Sequence, residues 1–213
     1  MIVPSMTLEE IRKEIEKDYP ILHRKATYVA HDLIRELSKA QKEKAGIYFF
    51  DYYSKYKNHW IYKIEITKKQ TFYTYVLLYH NGRGYMALFV AMKYEKEIDP
   101  ERMIIIFHTG HFFDRYNERL KLGLKTIREI IPIYMNENNK YDIKELEEIE
   151  PGVVTMFCLI ESGAVLGTYN RHLKLIKANT FLPLDMLSRN QLELKAALKL
   201  QMEKYKHSSA SLH

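Results

Sequence analysis

The segment "HTGHFFDRYNERL", His108 to Leu120, follows the apolar run "MIIIF" and places two histidines and two arginines close together. With Thr109 as the N-cap of a helix turning about 100° per residue, His111, Arg115 and Arg119 fall about 40° apart on one stripe. Phe112, Phe113, Tyr116 and Leu120 form the apolar face beside it. Long side chains at such a border can lie along the underlying structure while their heads converge on one concave spot. Like charges at i, i+4 and i+8 repel by a few tenths of a kcal/mol per pair, so an anion is implied, either a carboxylate or a phosphate. The first helical turn, where His111 sits, favours bound anions.

Two other readings of this segment stay open. Asp114, Glu118 or the distant Glu161 can supply the compensating charge, which makes the stripe a structural ion-pair face. Alternatively His108, His111 and Asp114, at three-residue intervals, can ligate zinc or another divalent ion, although they lack the i, i+4 spacing of a helical histidine pair. The later stretch "GTYNRHLKLIKANTF" offers partners for the stripe in Thr168, Tyr169, Arg171, His172 and Thr180. Threonine and tyrosine are equally ordinary strand residues.

Other function classes have less support. Tyrosines interleaved with lysines in "YSKYKNHWIYKIEITKKQTFYTYV" can form a stacking platform for single-stranded nucleic acid, without the aromatic signature of an RNA-recognition motif. The chain has no P-loop, no dinucleotide glycine motif and no nucleophile elbow, and no cofactor is expected. Cys158, alone in "VVTMFCLI", excludes an intrachain disulfide and a thiolate metal cluster, and reads as a buried, inert thiol. The net charge of +6 is uneven: residues 46–92 and 152–213 are each +4, whereas residues 108–151 are −2. That asymmetry suits RNA, another phosphate-bearing ligand or an acidic partner protein. No apolar stretch approaches a membrane span and the amino terminus lacks a signal-peptide core, so the expectation is a cytoplasmic protein without a membrane partner.

These residues must be positioned by an α+β fold, expected as a single domain over 1–213. Thr7 and Glu10 have capping-box spacing, opening a first helix that ends near Asp18 and Pro20, with a second from about Leu22 to Lys44. Residues 46–107 are β-rich: four aromatic and β-branched segments, the last two joined by "HNGRG", form an antiparallel meander, and "MIIIF" is a fifth strand. Residues 108–150 read as helical: the motif helix, a helix near Leu124 to Met135 broken by Pro132, and a short acidic helix in "YDIKELEEIE". Residues 151–182 read as three strands and 183–206 as a carboxy-terminal helix beginning near Asp185. The expectation is therefore an antiparallel sheet, or sheets, of about seven to eight strands. Two amino-terminal helices, a helical insertion in the middle and a carboxy-terminal helix complete it.

With "H-x3-R-x3-R" at His111, Arg115 and Arg119, followed by "GVVTMFCLIESGAVLGTYN" and "IKANTFL", residues 103–182 resemble the small metal-independent ribonucleases and toxins that include barnase, EndoU, the colicin ribonucleases and RelE, in their phage-associated branch. The resemblance implies attack of a ribose 2′-hydroxyl on the adjacent phosphorus. His111 would act as general base or acid, Arg115 and Arg119 would stabilise charge, and Thr168, Tyr169 or Thr180 would orient the phosphate. The chain departs from the compact members of that group in carrying a large β-block and helices before the motif.

Overall fold

The computed structural model describes residues 1–39, 45–80, 85–91, 103–138 and 141–198. Helix α1 (Leu8–Lys39) starts at the expected capping box: the Glu10 amide donates to Thr7 Oγ1 at 3.3 Å and the Thr7 amide to the Glu10 carboxylate at 2.7 Å. The break expected at Pro20 does not occur, and α1 is one helix of 32 residues. An interior proline costs about 3 kcal/mol, but the buried stripe Ile11, Ile15, Tyr19, Leu22, Ala26 and Ala30 continues across it, and packing on the sheet decides the outcome. Asp18, also buried, accepts from Asn58 at 2.7 Å and from the Trp60 indole at 2.9 Å through the same oxygen, which fixes the helix to the sheet.

Strands β1 (Gly46–Tyr53), β2 (His59–Ile66), β3 (Thr71–His80), β4 (Tyr85–Ala91) and β5 (Ile104–His108) pair in sequence as an antiparallel meander. The "HNGRG" turn lies between β3 and β4; Asn81 to Gly84 fall outside the described residues, and His80 pairs with Tyr85 on either side of them. A second meander comprises β6 (Asp142–Glu150), β7 (Val153–Ile160), β8 (Gly163–Asn170) and β9 (Leu175–Pro183). The two join where β5 runs parallel to β9, giving, among the described residues, one mixed sheet of nine strands in the order β1-β2-β3-β4-β5-β9-β8-β7-β6. This replaces the wholly antiparallel sheet of seven to eight strands.

The additional strand is β6, which the acidic composition of "YDIKELEEIE" presents as a helix. Glutamate, lysine and leucine favour helix locally, but pairing with β7 prevails: the start of the segment packs Tyr141 and Ile143 on the core. From Lys144 onward its side chains are exposed, and a row of carboxylates on an edge strand opposes pairing with another chain.

Helices α2 (Gly110–Arg119) and α3 (Ile127–Glu137) cover one face of the sheet, packing Phe112, Phe113, Tyr116, Ile131 and Tyr134 against residues of both meanders. α3 continues through Pro132, and its carboxy end is held by Lys63, a buried lysine whose Nζ donates to the Met135 carbonyl at 2.9 Å. α1 lies on the opposite face. After a short exposed 3-10 turn (Leu184–Met186), that face is completed over β7 and β8 by Leu187 and by α4 (residues 189–198). The last helix thus starts later than Asp185, after the 3-10 turn and at a cap formed by Ser188, whose Oγ accepts from the Gln191 amide; residues 199–213 lie outside the described set. No helix among the described residues is long and apolar enough to cross a membrane.

At the junction of the meanders, His108 is fully buried among Phe89, Phe112, Phe113 and Tyr134, with Nε2 at 3.0 Å from the Tyr134 hydroxyl. Burial pushes its pKa down to about 3 from the ordinary 6.5. Between those values the unfolded chain binds a proton that the folded chain refuses, so stability falls as pH drops, by up to about 1.4 kcal/mol per pH unit. Urea unfolding measured from pH 7 to pH 4 should show this slope, and His108→Phe should flatten it. An equal slope in the variant would assign the acid sensitivity to other groups.

Candidate functional site

Where β5 ends, the chain turns directly into α2. Thr109 is the N-cap, its hydroxyl accepting from the Phe112 amide at 3.2 Å. Gly110 is required by proximity: a Cβ there would lie 2.9 Å from the Tyr85 carbonyl oxygen. At the other end Leu122 donates to the Asn117 carbonyl and Lys121, with φ 54°, to the Glu118 carbonyl, which is the Schellman termination. The Asn117 side chain then clamps the link to α3, donating to the Leu124 carbonyl at 2.7 Å and accepting from its amide at 3.0 Å.

The stripe forms as the spacing implies, but its three members do different things. His111 is exposed, and its Nε2 accepts from Arg115 Nε at 2.7 Å, which requires a neutral ring with its proton on Nδ1. The Arg115 guanidinium also lies 3.5 Å from the Thr180 hydroxyl. Arg119 donates to the Phe181 carbonyl. Among the described residues the two arginines have no carboxylate partner, so Asp114, Glu118 and Glu161 do not supply the compensation considered above.

The position of β9 explains these contacts. β5 pairs with β9 only from Leu175 to Ala178, and beyond Ala178 the β5 side of β9 is flanked by α2 instead of a strand. A buried carbonyl without a partner is costly, and Arg119 supplies the donor that a strand would have supplied. A bulge sharpens the arrangement. Leu166 pairs with Thr180 but Gly167 pairs with Ala178, leaving Asn179 extra; Ile176, Ala178 and Phe181 consequently share one core. Bulges re-aim side chains, and this one leaves the Thr180 hydroxyl within reach of Arg115. Gly167 permits the close approach, since a Cβ there would meet the Lys177 carbonyl oxygen at 2.0 Å.

The other expected site residues are not brought to this point. Thr168 has the strand parity of Ala164, which packs with Leu187, so it faces away from α2. Tyr169 is on the α2 face, packed against the core, but about 10 Å along the strand from the Leu166–Thr180 pair. Arg171 and His172 lie in the β8–β9 turn, beyond a strand end that is itself about 13 Å from that pair. There Arg171 is bound to Glu145 and Glu148, and the His172 ring fills the space over Gly152. The metal alternative also fails: His108 is buried against Tyr134 whereas His111 and Asp114 are exposed, and no group of three ligand-type side chains occurs among the described residues. Cys158 is buried, and burial pushes its thiol pKa up.

Two features escaped the sequence reading. A groove of about 730 Å³ opens between the amino-terminal turns of α2 and α3, with His111, Asp114, Tyr85, Lys125 and Arg128 on its walls. Beside it, Asp51 accepts from His59 at 2.5 Å and from Arg128 at 3.0 Å, with Tyr53 stacked on His59 at 4.5 Å. Burial raises the Asp51 carboxyl, and the two donors outweigh it and hold the group below its ordinary value. The local signal was one acid in the aromatic strand "GIYFFDYY", diagonal to a histidine across the hairpin; the contribution of Arg128 is visible only in the folded chain.

Comparisons of the chain with protein-family models, with curated proteins and with solved structures return no match.

The geometry separates the stripe residues by stability. Arg119→Ala, which strips the Phe181 carbonyl of its donor, should cost about 1–3 kcal/mol. His111→Ala, at an exposed position, should stay within about 0.5 kcal/mol of the parent. Urea midpoints of the two variants measure this directly, and equal costs would mean that the stripe acts as one structural unit.

Proposed function

We propose that the protein processes nucleic acid, and specifically that it is a metal-independent endoribonuclease whose reacting group is His111. The observation that carries this reading is the relay from the exposed His111 imidazole to Arg115 and on to the Thr180 hydroxyl, with contacts of 2.7 and 3.5 Å. A cation, a neutral base and a hydroxyl within one such chain match what transfer at a phosphodiester requires. When a phosphate arrives, Arg115 turns from the imidazole to the phosphate oxygens, which are the stronger acceptors. That frees Nε2 to take the proton of the 2′-hydroxyl as the oxygen attacks phosphorus. The bond to the 5′-oxygen breaks, the leaving oxygen takes a proton from the imidazolium, and a 2′,3′-cyclic phosphate remains. Thr180 orients the phosphate. Arg119, engaged with the backbone of Phe181, holds the helix in place and is withdrawn from the reacting set.

A second reading has its own observation. The contacts of Arg115 and Arg119 with β9 also describe a helix held on a strand edge. On that basis the protein binds RNA or an acidic partner protein without cleaving it, and the stripe is structural.

Incubation with a mixed-sequence RNA in EDTA, alongside His111→Ala and Arg115→Ala, tests the proposal. Cyclic phosphate ends that disappear in both variants, with their folds intact, are the expected result. An intact substrate with wild-type protein would refute the catalytic reading. RNA affinity that falls steeply with added salt in the same preparation would then support binding alone.

A further inference from the structure

We infer that the groove between α2 and α3 is a ribonucleotide-binding site. Its volume of about 730 Å³ lies in the range of small-ligand sites, and its walls offer one group for each part of a nucleotide. Lys125, exposed at the start of α3, has no hydrogen-bond or ion-pair partner for its ammonium group among the described residues, and suits a phosphate. Asp114 is exposed on the α2 wall and, among the described residues, likewise unpartnered; a carboxylate there is an acceptor for ribose hydroxyls. Tyr85, 51% exposed, is an aromatic surface on which a base can stack. The groove therefore carries charges of both signs, Lys125 and Arg128 with Asp114, and an aromatic ring, where a simple anion site would carry cations alone.

The walls are also pre-formed. Asn117 locks the loop that sets the spacing of the two helices, and Arg128 is held from behind by Asp51. His111 belongs both to this groove and to the relay with Arg115. In an RNA strand the nucleotide in the groove would be the neighbour of the phosphodiester at His111; that continuity, unlike binding of the nucleotide itself, rests on the ribonuclease reading.

Calorimetric titration of the intact protein with adenosine 5′-monophosphate, its 2′-deoxy form and a short single-stranded RNA tests the site. The expected result is saturable binding of the ribonucleotide, weakened about tenfold or more by Lys125→Glu and by Tyr85→Ala. Asp114→Ala should abolish the preference for ribose over deoxyribose. All three positions are exposed, and matching thermal melts show that the variants fold. The source of the nucleotide is read from the arms: tighter binding of the RNA than of the mononucleotide marks a strand, and equal binding marks a free ligand. No saturable binding of either, or binding unaffected by Lys125→Glu and Tyr85→Ala, overturns the inference. Arg115→Ala should retain mononucleotide binding, so loss of the proposed cleavage and loss of the groove are distinguishable results.

Discussion

The parallel pairing of Ile105–His108 with Leu175–Ala178 joins two meanders that are otherwise separate along the chain. Four residue pairs are a short seam for a sheet of nine strands, and it is reinforced on both faces and at both ends. On one face α2 and α3 spread a common core over strands of each meander; on the other α1 packs on β5 and reaches Leu175. At the beginning of the seam Arg12 of α1 donates to the carbonyls of Met103 and Leu173, one just before each strand, at 3.3 and 2.6 Å. At its far end Arg119 of α2 donates to the Phe181 carbonyl. Two arginines on two helices thus satisfy backbone acceptors where the strand ladder starts and stops.

The candidate site is a consequence of where that seam ends. Because β5 stops at His108 and β9 continues to Pro183, the chain leaving β5 lies beside an unpaired stretch of β9, and the helix formed there must present donors to it. A cationic stripe at i, i+4, i+8 answers this structural demand at Arg119 and partly at Arg115, and leaves His111, nearest the helix start, exposed. The same stripe is thereby divided between holding the fold and offering chemistry. This division leaves fewer residues free for the proposed chemistry than the motif suggests.

Local signals were legible wherever they act over a few residues. The caps at Thr7 and Thr109, the meander of aromatic strands, the doubly buried "MIIIF" strand and the stripe itself all follow from spacing alone. What was not legible depends on partners remote in sequence. β6 has helical composition and becomes a strand because β7 offers it an edge; Pro20 and Pro132 signal breaks that packing overrides. Thr168 was separated from Thr180 by strand parity and by the bulge at Asn179, neither of which can be read without knowing the register. Arg128 and Asp51, 77 positions apart, meet only because α3 packs on the same face of the sheet beside the β1–β2 hairpin.

The neighbourhood of the site contrasts two histidines three positions apart. His108 is enclosed by aromatic rings and kept neutral by burial, and serves the core with the Tyr134 hydroxyl. His111 is one helical turn further, outside the core, with its acceptor nitrogen occupied by a guanidinium that has alternative partners in Thr180 and in solvent. A group that is to move protons must be able to exchange partners without disturbing the fold, and only His111 meets that condition. Its environment is nonetheless rigid, because the helix carrying it is pinned by Phe112 and Tyr116 to Phe181, by Asn117 to Leu124 and by Arg119 to the strand edge. An exchangeable imidazole on a helix pinned at these points is the pre-organised arrangement that the proposed chemistry at a phosphodiester would need, and in this fold it follows from the length by which β9 outruns β5.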